Sequence, residues 1–239
     1  WLVLQVIAHG GLSRVHLVEH VVTRRRAVMK LLMYDFPQAV ERVLDEASLL
    51  GRIQHPNVVQ LVDLGVDAAN ALFVIYDFLD GRTCAEAIRG PHQIHYSELL
   101  AYARQIASAL GVVHALGAVH RDLSPVNVFL LAPDRPVLFD FGLSAQFRTD
   151  SARDVLEVGG IMRGTAHYMA PEQVRGEVVD ARADIYALGC MLYEALTGRP
   201  PFIAEQALAV VMMHLEVTPI PPSVLVPELP ADVDALVLR

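Results

Sequence analysis

The sequence predicts an α+β fold with two lobes, a small antiparallel β lobe with one helix and a larger lobe that is mostly helical. In the first third of the chain, short apolar runs alternate with turn residues, a pattern typical of strands. Beyond residue 82, apolar residues recur at helical spacing. The chain has 239 residues, of which 54% are hydrophobic, enough to form a core in each lobe. We place the first lobe at residues 1–79 and the second at residues 80–239.

Five strands and one helix are predicted in the first lobe. Asp35 is the candidate cap of the helix, and Pro37 lies in its first turn, where proline is tolerated. The apolar stripe of this helix should pack on the sheet, and it consists of Val40, Val43, Leu44, Ala47 and Leu50. The strands are expected at residues 3–8, 14–20, 27–33, 61–66 and 71–76.

Three helices are predicted in the second lobe. Ser97 should cap the first of them. Asp184 should open the second, and Gly198 lies just past its end. The third helix is expected at residues 204–216, while residues 148–163 lack periodicity and should form a loop. The inward-facing residues of the second helix should be Ile185, Leu188, Leu192 and Leu196.

Composition argues against several classes of protein. A net charge of -8 disfavours non-specific binding to nucleic acid. No apolar run reaches the length of a bilayer span, and the first residues do not resemble a signal peptide, so we expect a cytoplasmic domain whose flanking membrane anchor, if any, is not visible. Cys84 and Cys190 lie far apart and are expected to be buried, reduced thiols.

Lys30 is the one lysine among the 19 basic residues, and all the others are arginines. Arginine and lysine differ in shape and hydration, and a compact ammonium suits phosphate oxygens in a tight cleft. The single lysine therefore raises the question of whether position 30 requires an ammonium group rather than a guanidinium.

Four motifs follow one another at fixed spacing in the second lobe: they are His120-Arg121-Asp122, Asn127, Asp140-Phe141-Gly142 and Ala170-Pro171-Glu172. Each is a weak signal alone, because a given tripeptide occurs by chance in roughly a few per cent of chains of this length. Lys30 on a predicted strand and Glu46 on the next helix precede them. This ordered set is similar to the signature of protein kinases. The chain resembles that family over its whole length, and most closely the serine/threonine kinases of bacterial type.

The resemblance implies a catalytic domain over residues 1–239 that transfers the γ-phosphate of ATP to serine or threonine hydroxyls of protein substrates, with Mg-ATP held between the lobes. Asp122 would be the base that accepts the hydroxyl proton. Asn127 and Asp140 would bind Mg²⁺ through oxygen atoms. Lys30 would hold the α- and β-phosphates, and Glu46 would hold Lys30 in place.

The nucleotide site is also implied by the resemblance. Gly10 matches only one glycine of the family's glycine-rich loop and Gly11 adds a second, and both would let main-chain N–H groups approach phosphate. Tyr76 would be the gatekeeper. The residues expected to contact ATP are Ile7, Ala8, Gly10, Gly11, Ser13, Val15, Val28, Lys30, Tyr76, Asp77, Leu79, Phe129 and Asp140.

Two features favour a protein kinase with serine/threonine specificity. The segment that ends in Ala170-Pro171-Glu172 resembles the part of protein kinases that docks substrate, which disfavours a small-molecule phosphotransferase. Within it, Thr165 would contact the catalytic loop, and together with Pro125 it favours serine or threonine over tyrosine.

Ser124 departs from the family pattern, which usually has lysine after His-Arg-Asp-Leu. A lysine there would touch the γ-phosphate, whereas serine is short and neutral. This leaves a second hypothesis open, a pseudokinase that acts as a nucleotide-binding scaffold. The chain also starts inside the first strand and stops at Arg239, where the family normally continues, so we expect it to be incomplete.

Overall fold

The computed structural model describes residues 1–9, 13–33, 37–90, 94–132, 134–141 and 165–238. The chain divides into two units, Trp1–Asp80 and Gly81–Arg239. The first unit is built on an antiparallel sheet, and the second is mostly helical. The predicted α+β class is therefore confirmed.

The described strands of the first unit form one antiparallel sheet. They are β1 (Leu2–His9), β2 (Ser13–Glu19), β3 (Arg26–Leu32), β4 (Leu61–Val66) and β5 (Leu72–Asp77). Their order in the sheet is β1-β2-β3-β5-β4. Because side chains alternate along a strand, β3 places Ala27 and Met29 on one face and Val28 and Lys30 on the other. The first of these faces carries a small core of Val18, Ala27, Met29 and Ile75.

Helix α1 (Pro37–Leu50) begins at proline, which suits a first helical position because its missing N–H would have no partner there. Val43, Glu46 and Leu50 are buried on one side of this helix. The prediction that Leu44 is buried was wrong, since it is 43% exposed. Successive helical residues are about 100° apart, so Leu44 turns away from a face centred on Val43, Glu46 and Leu50. Leu49 is buried instead.

A small antiparallel sheet opens the second unit. Its strands are β6 (Gly81–Thr83), β7 (Val128–Leu131) and β8 (Arg135–Leu138), in the order β6-β7-β8. At Gly81 a Cβ atom would lie 2.3 Å from the carbonyl oxygen of Leu130 on the paired strand. The close pairing of β6 with β7 therefore depends on glycine at this position.

The described part of the second unit is mostly helical. Its helices are α2 (Cys84–Arg89), α3 (Tyr96–Ala115), α4 (Pro171–Arg175), α5 (Ala181–Thr197), α6 (Ala207–Glu216), α7 (Pro222–Leu225) and α8 (Ala231–Val237). Two 3₁₀ turns, Pro125–Asn127 and Thr165–Tyr168, lie in the segments predicted to form the catalytic loop and to dock substrate. Cys84 and Cys190 are both free and buried, as expected, and burial raises the pKa of each thiol to about 12.

Two helix starts differ from the sequence prediction. Helix α3 is capped by His95 rather than Ser97, because the His95 side chain accepts a hydrogen bond from the main-chain N–H of Ser97. Helix α5 begins at Ala181, where Asp180 accepts from the N–H of Arg182 at 2.9 Å. Asp180 is therefore the cap of α5, and Asp184 lies one turn inside the helix.

The inward face of α5 also differs in part. Leu188 and Leu192 are buried as predicted, but Ile185 is 52% exposed. The buried face runs through Asp184, Ala187, Leu188 and Met191, and Ile185 lies to one side of it. The start of α6 was placed too early, because the helix begins at Ala207 and not at residue 204.

Candidate active site

Lys30 and Glu46 form an ion pair within the first unit. Lys30 lies on β3, paired with Val15 of β2 and Val74 of β5. Its Nζ atom is 3.6 Å from Oε2 of Glu46 on α1, and the Glu46 residue is only 1% exposed. A carboxylate this deeply buried is stable only beside a cation or hydrogen-bond donors. The sheet and α1 therefore fix the position of an ammonium group that remains partly accessible to solvent.

One face of the sheet carries several of the residues predicted to contact ATP. Directly opposed residues of an antiparallel ladder project from the same face. Val15 is paired with both Ala8 and Lys30, and Val28 is paired with Tyr76. Since Val28 and Lys30 are two residues apart, these side chains share a face. The structure thus gathers this part of the predicted set around the ammonium group.

The remaining predicted ATP contacts in the first unit lie elsewhere on its strands or in the residues that follow them. Ile7 is exposed on β1, and Ser13 begins β2 opposite Leu32. Asp77 ends β5, where its carboxylate forms an ion pair with Arg25. Leu79 follows it and is partly buried. Gly10 and Gly11, the predicted phosphate-binding glycines, lie outside the described residues.

In the second unit, Asn127 holds the loop that carries Asp122. Its side-chain Nδ2 donates to the main-chain oxygen of Asp122 at 2.8 Å and to Asp122 Oδ2 at 3.0 Å. The 3₁₀ turn begins with Pro125, and the N–H of Asn127 donates to the carbonyl of Ser124 at 2.9 Å. Because both side-chain bonds use the amide nitrogen, the orientation of the Asp122 carboxylate and that of the Asn127 amide oxygen are coupled.

Asp184 braces the same loop from α5. Its carboxylate, which is 1% exposed, accepts hydrogen bonds from the main-chain N–H groups of His120 and Arg121, each at 2.9 Å. His114 of α3 donates to it through Nε2 at 2.7 Å. Arg121 has a φ of 66°, a left-handed conformation that is unfavourable for a residue with a side chain. The Asp184 bonds therefore hold a strained backbone immediately before Asp122.

Asp140 and Phe141 follow β8. Asp140 has a φ of 59° and is exposed, whereas Phe141 is completely buried. The Phe141 ring packs against His120, with centroids 4.6 Å apart. The N–H of Phe139 donates to the carbonyl of Asn127 at 3.2 Å. These contacts fix Asp140 relative to the Asn127 turn. Phe129, predicted to lie beneath the adenine, is on β7 and packs on Phe139 at 5.0 Å.

The donor set of this loop is compatible with Mg²⁺. Asp140 offers a carboxylate and Asn127 an amide oxygen, which are hard ligands of the kind that Mg²⁺ prefers. Among the described residues, no group of three or more His, Cys, Asp or Glu could hold a metal by itself. A magnesium ion bound here would need additional oxygens, as it does when substrate phosphates and water complete its shell.

The predicted substrate-docking segment is described only from residue 165 onward. Thr165 opens the 3₁₀ turn, but its side chain and Gly142 lie outside the described part of the chain. Tyr168 of this turn donates a hydrogen bond to the buried carboxylate of Glu194 on α5. Burial and the nearby Glu194 raise the pKa of Tyr168 far above its ordinary range, so the phenol remains a neutral donor. This bond anchors the turn to α5.

Sequence reasoning missed Glu194 and Gln173 as parts of this region. Glu194 could have been noticed as a single carboxylate in an otherwise apolar stretch of α5, where a buried charge needs a partner. Gln173 carries no such signal, because its contact is with Arg121, 52 residues earlier in the chain.

The described residues contain no helix that is both long and apolar enough to span a bilayer. A model of the protein kinase domain family matches residues 1–228 of the chain. This match includes each of the motifs from Lys30 to Ala170-Pro171-Glu172.

Three bacterial relatives are similar to almost the whole chain. Serine/threonine-protein kinase PknB of Mycobacterium tuberculosis (strain H37Rv) is 34% identical over 241 residues, covering 98% of this chain and 38% of the relative. A probable serine/threonine-protein kinase of Streptomyces coelicolor is also 34% identical, with 98% and 35% covered. Serine/threonine-protein kinase PrkC of Bacillus subtilis is 31% identical, with 99% and 36% covered. The chain thus spans little more than a third of each, and it belongs to the protein kinase domain family.

Proposed function

We propose that this chain is the catalytic core of a serine/threonine protein kinase, which transfers the γ-phosphate of ATP to hydroxyl groups of protein substrates. The observation that carries the proposal is the pair of hydrogen bonds from Asn127 to Asp122, in a loop braced by Asp184. The names of the bacterial relatives support it. Phosphoryl transfer requires positioned charges more than covalent chemistry, and this loop positions a carboxylate.

Asp122 would act as the base. The substrate hydroxyl loses its proton to the Asp122 carboxylate while its oxygen forms a bond to the transferred phosphorus and the bond to the leaving phosphate breaks. Asn127 would orient this carboxylate through its Nδ2 atom, as the 3.0 Å bond to Oδ2 suggests. A general base of this kind contributes roughly 10²–10⁴-fold to rate.

Asn127 and Asp140 would hold Mg²⁺, which supplies charge neutralisation to the phosphates when bound. Lys30 would bind phosphate oxygens of ATP, and the buried Glu46 carboxylate would keep the Lys30 ammonium in place. Ala8, Val15 and Val28 would contribute the apolar surface against which the adenine ring of ATP packs, from their shared face of the sheet.

Ser124 is the observation that favours the second candidate, a nucleotide-binding scaffold without efficient transfer. Ser124 is 2% exposed, and its Oγ atom has no hydrogen-bond partner among the described residues. A short neutral side chain at this position supplies no positive charge to the transferred phosphoryl group. We nevertheless favour the enzyme, because Lys30, Glu46, Asp122 and Asn127 are all present and make the contacts described above.

The test of transfer is incubation of the purified protein with labelled ATP and Mg²⁺, followed by acid hydrolysis to identify the phosphorylated residue. Label should appear on serine or threonine, and Asp122→Asn should reduce it by about 10²-fold or more. Asp232→Asn, a matched change at an exposed position of α8, should leave it unchanged. Label on tyrosine, or equal transfer by Asp122→Asn, would contradict the proposal.

A second measurement separates the enzyme from the scaffold. Lys30 is the only lysine, so acetylation of its amine can be followed by mass spectrometry with the terminal amine of the chain as an internal control. Mg-ATP should slow acetylation of Lys30 but not of the terminal amine. Protection of Lys30 without any transfer of label would favour the scaffold.

A further inference from the structure

Gln173 connects the end of the substrate-docking segment to the main chain beside Asp122. It lies on α4, and its Oε1 atom accepts a hydrogen bond from the main-chain N–H of Ala170 at 3.0 Å. Its Nε2 atom donates to the carbonyl oxygen of Arg121 at 2.9 Å. One carboxamide thus uses its acceptor within its own helix and its donor on the catalytic loop.

The carbonyl that Gln173 holds belongs to a strained residue. Arg121 has a φ of 66°, and its N–H is bound by Asp184 Oδ1 at 2.9 Å. With Gln173 on its carbonyl, both main-chain polar groups of Arg121 are held by side chains from two different helices, α5 and α4. An unfavourable backbone conformation persists only where surrounding contacts determine it, and here both contacts are identified.

The Arg121 carbonyl also determines where Asp122 begins. The peptide bond is planar, so the carbonyl carbon and oxygen of Arg121 and the N and Cα atoms of Asp122 lie in one plane. Fixing the oxygen of this plane from α4 fixes the Cα atom from which the Asp122 side chain projects. Asn127 then orients the carboxylate itself at 3.0 Å.

We propose that Gln173 is a positioning residue for Asp122 and that it makes the placement of the catalytic loop depend on the placement of the docking segment. This inference rests on the proposed role of Asp122. The alternative is that Gln173 serves only to cap α4 through Ala170, with its bond to Arg121 of no consequence. The two roles need different atoms of the same side chain, and they can therefore be separated.

Gln173→Glu separates them. A glutamate keeps an oxygen that accepts from the N–H of Ala170, as in an ordinary capping box. An ionised carboxylate has no donor for the Arg121 carbonyl, however, and it presents a negative charge to that oxygen. A capping role predicts a nearly normal enzyme, whereas a positioning role predicts a defect in turnover. Gln173→Met, which removes both polar ends at similar length, shows whether loss of the cap adds to that defect.

The matched control is Gln105→Glu. Gln105 also donates from Nε2 to a main-chain carbonyl, that of Asp134 at 3.0 Å, in an exposed part of α3. This change removes the same kind of bond, made to a carbonyl outside the Asp122 loop, and adds the same charge.

We expect Gln173→Glu to lower kcat by about 10-fold to 100-fold, the effect of leaving one partly buried acceptor without its donor, with less than twofold change in KM for ATP. Gln105→Glu should retain wild-type kcat. A kcat for Gln173→Glu within twofold of wild type would overturn the proposal.

Hydrogen exchange provides an arm that does not depend on activity. The main-chain amides of residues 119–123 should exchange faster in Gln173→Glu than in wild type and at an unchanged rate in Gln105→Glu. Unchanged exchange in Gln173→Glu would refute the positioning role of Gln173 even in an active enzyme. Faster exchange in a protein that transfers no phosphate at all would instead refute the proposed function and still support the positioning role.

Discussion

The Oε2 atom of Glu46 lies 3.6 Å from the Nζ atom of Lys30, and Glu46 is only 1% exposed. The carboxylate needs the ammonium, since a buried charge without a partner is strongly destabilising. The ammonium in turn is held by a residue that cannot move away into solvent. The pair therefore affects stability through Glu46, and it bears on the phosphate binding that we propose for Lys30.

Lys30→Met should abolish phosphoryl transfer, with a loss of at least about 10²-fold, in a protein that still folds but is less stable than wild type, because the buried Glu46 loses the ammonium beside it. Lys30→Arg should also be poor, because a planar guanidinium does not replace a compact charge on phosphate oxygens. Transfer of labelled ATP to a generic peptide measures both. Arg24→Met, which breaks an exposed ion pair to Glu19 in the same unit, is the control and should remain active. Near wild-type transfer by Lys30→Met would show that the assignment of Lys30 is wrong.

Asp184→Asn should impair both folding and turnover. The Asp184 carboxylate accepts from His114, His120 and Arg121, and an asparagine would present an NH₂ group to one of these donors. We expect a loss of about 2–4 kcal/mol in the free energy of unfolding, measured by urea denaturation. Since the strained Arg121 backbone would relax, kcat should fall by on the order of 10²-fold.

Asp180→Asn is the control for that change on the same helix. Asp180 caps α5, and asparagine caps helices equally well. Its ion pair with Arg182 is exposed and should contribute little. Equal effects of Asp180→Asn and Asp184→Asn would mean that the buried bonds to the catalytic loop have no special importance.

Local features of the site were predictable from the sequence because they depend on spacing. The apolar pattern places Lys30 on a strand and Glu46 on the next helix, the family resemblance implies that they pair, and the structure pairs them. The burial of Leu49 in place of Leu44 was not predictable, since both are apolar and only the sheet decides which side of α1 is covered. The contact of Gln173 with Arg121 could not be predicted either, because a single hydrogen bond across 52 residues leaves no pattern in a sequence.

The stability of the second unit should depend on pH through His214. This residue is buried on α6, and its Nδ1 atom lies 2.7 Å from the hydroxyl of Tyr186. Burial lowers the pKa of His214 from 6.5 to about 4. Between these values the unfolded chain binds a proton that the folded chain does not, so stability decreases as pH falls from about 6.5 to about 4.

Chemical denaturation at pH 7 and pH 5 measures this effect. The wild-type free energy of unfolding should fall by on the order of 2 kcal/mol through His214 alone. His214→Gln should be less stable at pH 7 but lose less on acidification. His9→Gln, at an exposed position on β1, should keep the wild-type difference between the two pH values. The same difference in His214→Gln as in wild type would exclude His214 as its source.

Ser124→Lys should raise kcat, by roughly tenfold or more if the lysine reaches the position that the family gives it. The proposed base Asp122, the proposed magnesium ligands Asn127 and Asp140, and Lys30 are all present, so the proposed enzyme should be slow rather than inactive. An amine at residue 124 would act on charge that redistributes at the transferred phosphoryl group in the transition state. Its effect should therefore appear in turnover and less in the affinity for ATP. Steady-state kinetics with a serine/threonine peptide measures both quantities.

Because residue 124 is buried, the effect of the charge of a lysine there must be separated from the effect of its size. Ser124 is 2% exposed, and its Oγ atom has no hydrogen-bond partner among the described residues, so the hydroxyl itself is not needed to hold the loop. A lysine must direct its ammonium out of this buried position to avoid the cost of desolvation. Ser124→Met adds a side chain of similar length without charge, and it should leave kcat level or lower it. A gain with lysine and none with methionine identifies the charge as the missing element. Equal or lower kcat in Ser124→Lys, with the fold intact by thermal denaturation, would show that the loop has adapted to serine and that another group supplies the cation.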